Sequence, residues 1–219
     1  VAFEKAGFKN AIIAKQLPDS VAADEDDINY SVINYVASAE SNAMGPSIYD
    51  PRSGEIIEAD VIWWHNVISI LKNWITIQTG AANPAAQQCL LPDSLMGDAM
   101  RFVACHEIGH YPTDSLRSKT FTNKMKSTAS SIMDYARYNY VAQPGDGITE
   151  FAPHIGPYDI FAIEFGYRWR DIESPDQEKD AVYEFLSKHT GPLYRFADAQ
   201  SMRDATDPRA MIEDLGDDN

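Results

Sequence analysis

The sequence predicts an α+β domain, and three observations carry that prediction. After a short helical start, strand-like segments fill the chain up to residue 63 and helical spacings follow from residue 64. Hydrophobic residues make up 44% of the 219, enough for a substantial core. No internal repeat or low-complexity tract points to a solenoid or to global disorder.

Val1 to Gly7 reads as the tail of a helix stopped by glycine. Asn10 to Gln16 (NAIIAKQ) is an apolar run of strand length, and the acidic run from Asp24 to Asp27 is a solvated turn. Tyr30 to Ala37 is rich in β-branched and aromatic residues and predicts a strand. Ala43 to Tyr49 contains Gly45 and Pro46; proline cannot donate to a ladder, so this piece, if extended, belongs at a sheet edge. Asp50 to Gly54 is a turn and Glu55 to Trp63 a further strand, so the two arms form a hairpin whose first arm is the edge.

Trp64 to Thr79 sets Val67, Ile68, Leu71, Trp74 and Ile75 at helical spacing. Pro92-Asp93-Ser94 opens a helix running from Ser94 to His110, with Leu95, Met96, Ala99, Met100, Phe102 and Val103 as its apolar surface. Tyr111 to Ser130 is polar and irregular, Ser131 to Tyr135 is a compact turn, and Pro144 to Gly147 is a loop. Gly156-Pro157-Tyr158 opens a helix through about Gly166, and Ala181 to His189 suggests another. The expected organisation is one domain with an N-terminal lobe over 1–110 and a C-terminal lobe over 111–219.

The formal charge of −15 repels phosphate backbones and anionic lipid, so nucleic acid and membrane surfaces are poor partners. Two cysteines, Cys89 and Cys105, exclude a disulfide framework; whether they pair is open at this level. No apolar run reaches membrane-spanning length. The chain opens on Val1, without a signal peptide, and stops in an acidic run, and so reads as a piece of a longer polypeptide.

The residues that carry chemistry are His106-Glu107-Ile108-Gly109-His110. Positions four apart share a helix face, so both imidazoles can reach one metal ion. Glu107 sits beside that face, where a carboxylate can take a proton from a metal-activated water and later return it to a leaving amine. A buried helix with two satisfied histidines is the plainer alternative, but a core does not choose three ionisable groups in five residues. The reading is a Zn2+ site held by His106 and His110, with Glu107 as general base.

With this motif, with Ser131-Ile132-Met133-Asp134-Tyr135, and with the flanking PDSLMGDAMRFVACHEIGH and IGPYDIFAIEFGYRW, nearly the whole chain resembles the metzincin zinc peptidases. The similarity is strongest to the large secreted zinc-dependent metalloproteases of bacteria. That resemblance implies a twisted mixed sheet with an antiparallel edge strand and two helices above a cleft, over a small, mostly irregular C-terminal lobe. It implies a Met-turn at Met133 beneath the metal, where an ordinary core methionine is the alternative. It also gives Tyr135 as a group able to approach the metal or the tetrahedral intermediate. An extended polypeptide substrate would bind by strand addition along Ala43, Met44, Gly45 and Ser47. A secreted, periplasmic or cell-envelope location is implied by the resemblance alone, and oligomeric state is left open.

One departure matters. The family motif continues H-E-x-x-H-x-x-G-x-x-H, yet the glycine position is Thr113 and the last histidine position Leu116. The text reads as though a ligand-bearing stretch between His110 and Tyr111 had been dropped. Of the residues that could substitute, His65 and His154 are more often surface or core than ligand, Asp114 lacks the turn geometry, and Glu164 falls on a later helix, as in peptidases with a glutamate as third ligand. A catalytically inactive binding module lacking that ligand is the rival of another class. Cys105 points about 100° away from His106 on a helix and is a small core residue.

Overall fold

The computed structural model describes residues 1–18, 27–81, 83–113, 131–133, 154–190 and 194, with the side chains of residues 110–113 outside the description. Two compact units divide the chain, Ile12–Tyr111 in one and Val1–Ala11 with Pro112–Asn219 in the other.

The first of these units holds the strands. β1 (Ile33–Val36), β5 (Val61–Trp64) and β2 (Ala43–Met44) form a sheet in the order β1-β5-β2, with β1 parallel and β2 antiparallel to β5. β3 (Ser47–Tyr49) and β4 (Ile56–Ala59) form a second, antiparallel pair. The expected hairpin is therefore present, but each arm is divided, the first at Gly45-Pro46 and the second at Asp60. The two ladders keep one register from Ala43↔Trp63 to Ile48↔Glu58, and the Asp60 N–H to Pro46 carbonyl bond of 3.1 Å bridges them. Pro46 has no N–H to return, and the ladder is interrupted there.

Asp60 is buried at that break. Its carboxylate accepts from the Val32 N–H at 2.7 Å and from Asn34 Nδ2 at 3.5 Å, tying the hairpin to the start of β1. Asp60→Ala removes both acceptors and strands a backbone donor, and is expected to lower unfolding stability by about 2 kcal/mol, read from the urea midpoint.

Helix α2 (Val67–Thr79) starts three residues later than the periodicity predicts, because Trp64 is taken by its pairing with Val36. Val67, Leu71, Ile75 and Thr79 repeat every fourth residue and are buried. Helix α3 spans Asp93–Thr113.

The other unit contains α1 (Ala2–Lys5), α4 (Pro157–Tyr167) and α5 (Pro175–Lys188). Ala2 and Ala6 pack on Ile163 of α4, and Phe161 of α4 stacks on Phe185 of α5 with ring centroids 5.6 Å apart. α5 starts earlier than its apolar residues suggest, since the Ser174 side chain accepts from the Gln177 N–H and Pro175 follows as its first helical residue.

The strand expected over Asn10 to Gln16 is not formed. Asn10 takes a left-handed φ of 53°, and Ile12 and Ile13 are 56% and 58% exposed, so the run gains neither a ladder nor burial. Cys89 and Cys105 are both free thiols. Among the described residues no helix is long and apolar enough to cross a membrane. The acidic turn as far as Asp26, the stretch 114–130 and the Pro144 to Gly147 loop lie outside the described residues.

Candidate metal centre

The site is built on α3. The helix opens after Pro92, whose carbonyl accepts from Leu95 and Met96, and Asp93 places a negative charge at its positive end. Leu95, Ala99, Phe102 and His106 follow one another at steps of four, three and four residues, a single helical stripe, and all four are buried. The stripe thus passes from hydrocarbon to imidazole without leaving the interior. His106 is only 7% exposed and its ring lies 6.0 Å from that of Phe102. Glu107, also 7% exposed, continues the neighbouring line of Ala99 and Val103. Helical rise puts position 110 one turn beyond 106; the His110 side chain lies outside the described residues.

Two imidazole positions one turn apart, with a carboxylate between them, are a donor set chemically suited to a divalent zinc ion. His106 and Glu107 are both buried, so this part of the donor set lies in the interior. Cys105 is half-buried, and burial raises its thiol above the ordinary range, as suits a packed side chain rather than a nucleophile.

The edge of the sheet comes directly onto this helix. A Cβ placed on Gly45 would lie 2.5 Å from the Glu107 carbonyl oxygen and 3.2 Å from its carbonyl carbon. β2 supplies Ala43, buried, and Met44, exposed, while Ser47 belongs to β3 in the other pair. The residues expected as one edge strand are therefore shared between two strands, Gly45 joining them.

Met133 is buried, 6% exposed, in the Ser131–Met133 turn. That turn is held by Asp159 in the first turn of α4. Ser131 Oγ donates to Asp159 Oδ1 at 2.5 Å, the Ile132 N–H donates to Oδ2 at 2.9 Å, and the Gly156 N–H donates to Oδ2 at 2.6 Å. The Met133 N–H in turn donates to Ser131 Oγ at 3.0 Å. Burial pushes the Asp159 carboxyl above the usual range, while the bonds from Ser131, Gly156 and Ile132 pull it back. Sequence reasoning missed Asp159. Its spacing after Gly156-Pro157 is a helix-start signal, which locates the capping role but not the reach to a turn 27 residues earlier.

Of the alternative ligands, Glu164 forms an ion pair with Arg168 at 3.1 Å, His65 Nδ1 hydrogen-bonds the Tyr35 hydroxyl, and His154 is exposed. Asp114 and Tyr135 lie outside the described residues.

A family model described as Met-zincin matches residues 90–219, a span covering α3, the Ser131–Met133 turn, α4 and α5. No curated protein and no solved structure matches the chain.

Proposed function

Because the chain belongs to the Met-zincin family of zinc-binding metallopeptidases, we propose that it hydrolyses internal peptide bonds of extended polypeptides, with Glu107 as general base and then general acid. The observation that carries this reading is the burial of His106 and Glu107 together on α3, directly against Gly45 at the edge of the sheet. His106 and His110 would hold the ion. Zinc supplies, when bound, a Lewis acid that polarises the scissile carbonyl and makes water more acidic.

The protein's own groups do the rest. Glu107 takes the proton of the attacking water and delivers it to the amine as the peptide bond breaks, so the same carboxylate serves both halves of the reaction. Glu107 is 7% exposed, which limits its contact with bulk water. Met133, in a turn fixed by Asp159, is the proposed Met-turn, and Tyr135 the proposed donor to the tetrahedral oxygen. A peptide added to the sheet edge pairs through its main chain, so the expected preference is for extended chains rather than one sequence. Location in the periplasm, cell exterior or envelope, and kinship with the secreted bacterial enzymes, belong to the same proposal.

The test is cleavage of a reduced, unfolded protein by material expressed from the complete gene. Activity should disappear on treatment with 1,10-phenanthroline and return on adding zinc. Cleavage that survives stripping of the metal rejects the reading. The glutamate-ligand alternative would require Glu164 to leave its pair with Arg168, and the Glu164→Gln variant separates the two: it should keep its zinc if the alternative is wrong.

A further inference from the structure

Helix α4 has two opposed working faces. Asp159 and Ile163, four residues apart, share one; Phe161 and Phe165, also four apart, lie about 200° round the axis on the other. The first face carries the carboxylate that holds the Ser131–Met133 turn and, one helical turn on, the contact with Ala2 and Ala6. The second is met by α5. Phe161 stacks on Phe185 with the two planes 8° apart, and the Phe165 ring centroid lies 6.4 Å from that of Phe185. His189 and Tyr194 each lie 5.2 Å from Phe161. All of these groups belong to one compact unit.

Rings, rather than a buried helix face, dock α5: none of its side chains is fully buried. Its end is tied into the same cluster. His189 Nδ1 donates to the Phe185 carbonyl at 2.8 Å, satisfying one of the acceptors a helix end leaves open, and the imidazole sits 4.2 Å from the Phe185 ring. Tyr194 closes the group edge-on against His189. A helix so little buried adds little to the core. What it fixes is the rotation of α4 about its own axis. A carboxylate roughly 5 Å from that axis moves about 1 Å for a rotation of roughly 10°, enough to break a hydrogen bond. Rings stacked on the far face of α4 resist that rotation.

We propose that Phe185, seated by His189, is a positioning residue for peptide hydrolysis: it acts through Phe161 and Asp159 to fix the Ser131–Met133 turn. This rests on the peptidase reading above, in which Met133 is the Met-turn, and adds to it an element distant in sequence on which that turn depends.

Two readouts test it, one of them independent of activity. In protein labelled with [methyl-13C]methionine, the Met133 signal, identified by its absence in Met133→Leu, should shift in Phe185→Ala. It should return in Phe185→Tyr, which restores the ring. Tyr183→Ala, a residue of the same helix that is 76% exposed, should leave the signal in place. In the zinc-loaded protein, Phe185→Ala should lower kcat on an unfolded protein substrate about 100-fold, the loss expected for a displacement of roughly 1 Å. KM and zinc content should stay at the unsubstituted level, and Phe185→Tyr should recover most of the activity. A Met133 signal that stays in place in Phe185→Ala overturns the proposal, as does an unchanged kcat, a loss carried by KM, or a loss that follows zinc content. Should Phe185→Ala not fold, Phe185→Leu, which keeps most of the apolar volume without the ring, is judged by the same outcomes. If the unsubstituted protein cleaves nothing, the hydrolytic role falls with the peptidase reading, while the methyl signal still decides whether α5 fixes the turn.

Discussion

Replacing Glu107 with alanine is expected to abolish hydrolysis of an unfolded protein substrate while the zinc content stays unchanged. The argument is chemical first. A positioned general base is worth on the order of 10²–10⁴-fold, and here the same carboxylate also protonates the leaving amine, so both proton transfers are lost together. It is structural second. Glu107 is 7% exposed, so no bulk buffer base takes its place in the interior. Alanine also leaves a cavity, and the sharper variant is therefore Glu107→Gln, which keeps the volume and removes only the basicity. Both variants should retain zinc by elemental analysis, since the proposed ligands are His106 and His110. Turnover by either variant within tenfold of the parent rules Glu107 out as the base.

Asp159→Ala should give the largest loss of stability outside the active-site helix. Three donors from two places, Ser131 Oγ and the Ile132 N–H of one turn and the Gly156 N–H before α4, converge on this buried carboxylate. Removing it strands them in the interior, and such a loss is on the order of 3 kcal/mol or more. For a chain of this length that corresponds to a Tm lower by roughly 6–12 °C. Asp159→Asn keeps an oxygen for the two backbone donors and a polar atom beside Ser131, and should recover most of the loss.

The pH dependence has a definite sign. Burial, the dominant influence, raises the folded-state pKa of Asp159 above its unfolded value. The folded state then holds the proton more tightly, so this group's contribution is complete below the unfolded pKa and is lost as pH rises through the folded value. The stability difference between the unsubstituted protein and Asp159→Asn should therefore shrink as pH rises through the carboxylate range. Thermal melts across that range would show a growing difference if the hydrogen bonds outweighed burial.

Much of this was legible in the residues. The 106–110 spacing fixes two imidazole positions on one helix face, and Pro-Asp-Ser and Gly-Pro mark where α3 and α4 begin, because caps and periodicity act within a turn or two of the chain. The Asn10 to Gln16 run shows the limit of composition. It has strand-like residues, but a strand exists only where a partner supplies hydrogen bonds, and Asn10 turns the backbone away. The divided hairpin shows the same limit, for Pro46 predicts an edge but not the buried Asp60 that closes the break.

What the sequence alone determined is the chemistry: two imidazoles, a carboxylate between them, and a helix to hold them, all set by separations of a few residues. What only the tertiary structure decided is which distant backbone meets that helix. Gly45 rests on Glu107 and Asp159 reaches Ser131 across 28 residues, and both depend on how elements pack. Local periodicity repeats within a turn, whereas contacts of this range are selected by excluded volume and by the need to satisfy buried donors, terms that no short stretch of sequence contains.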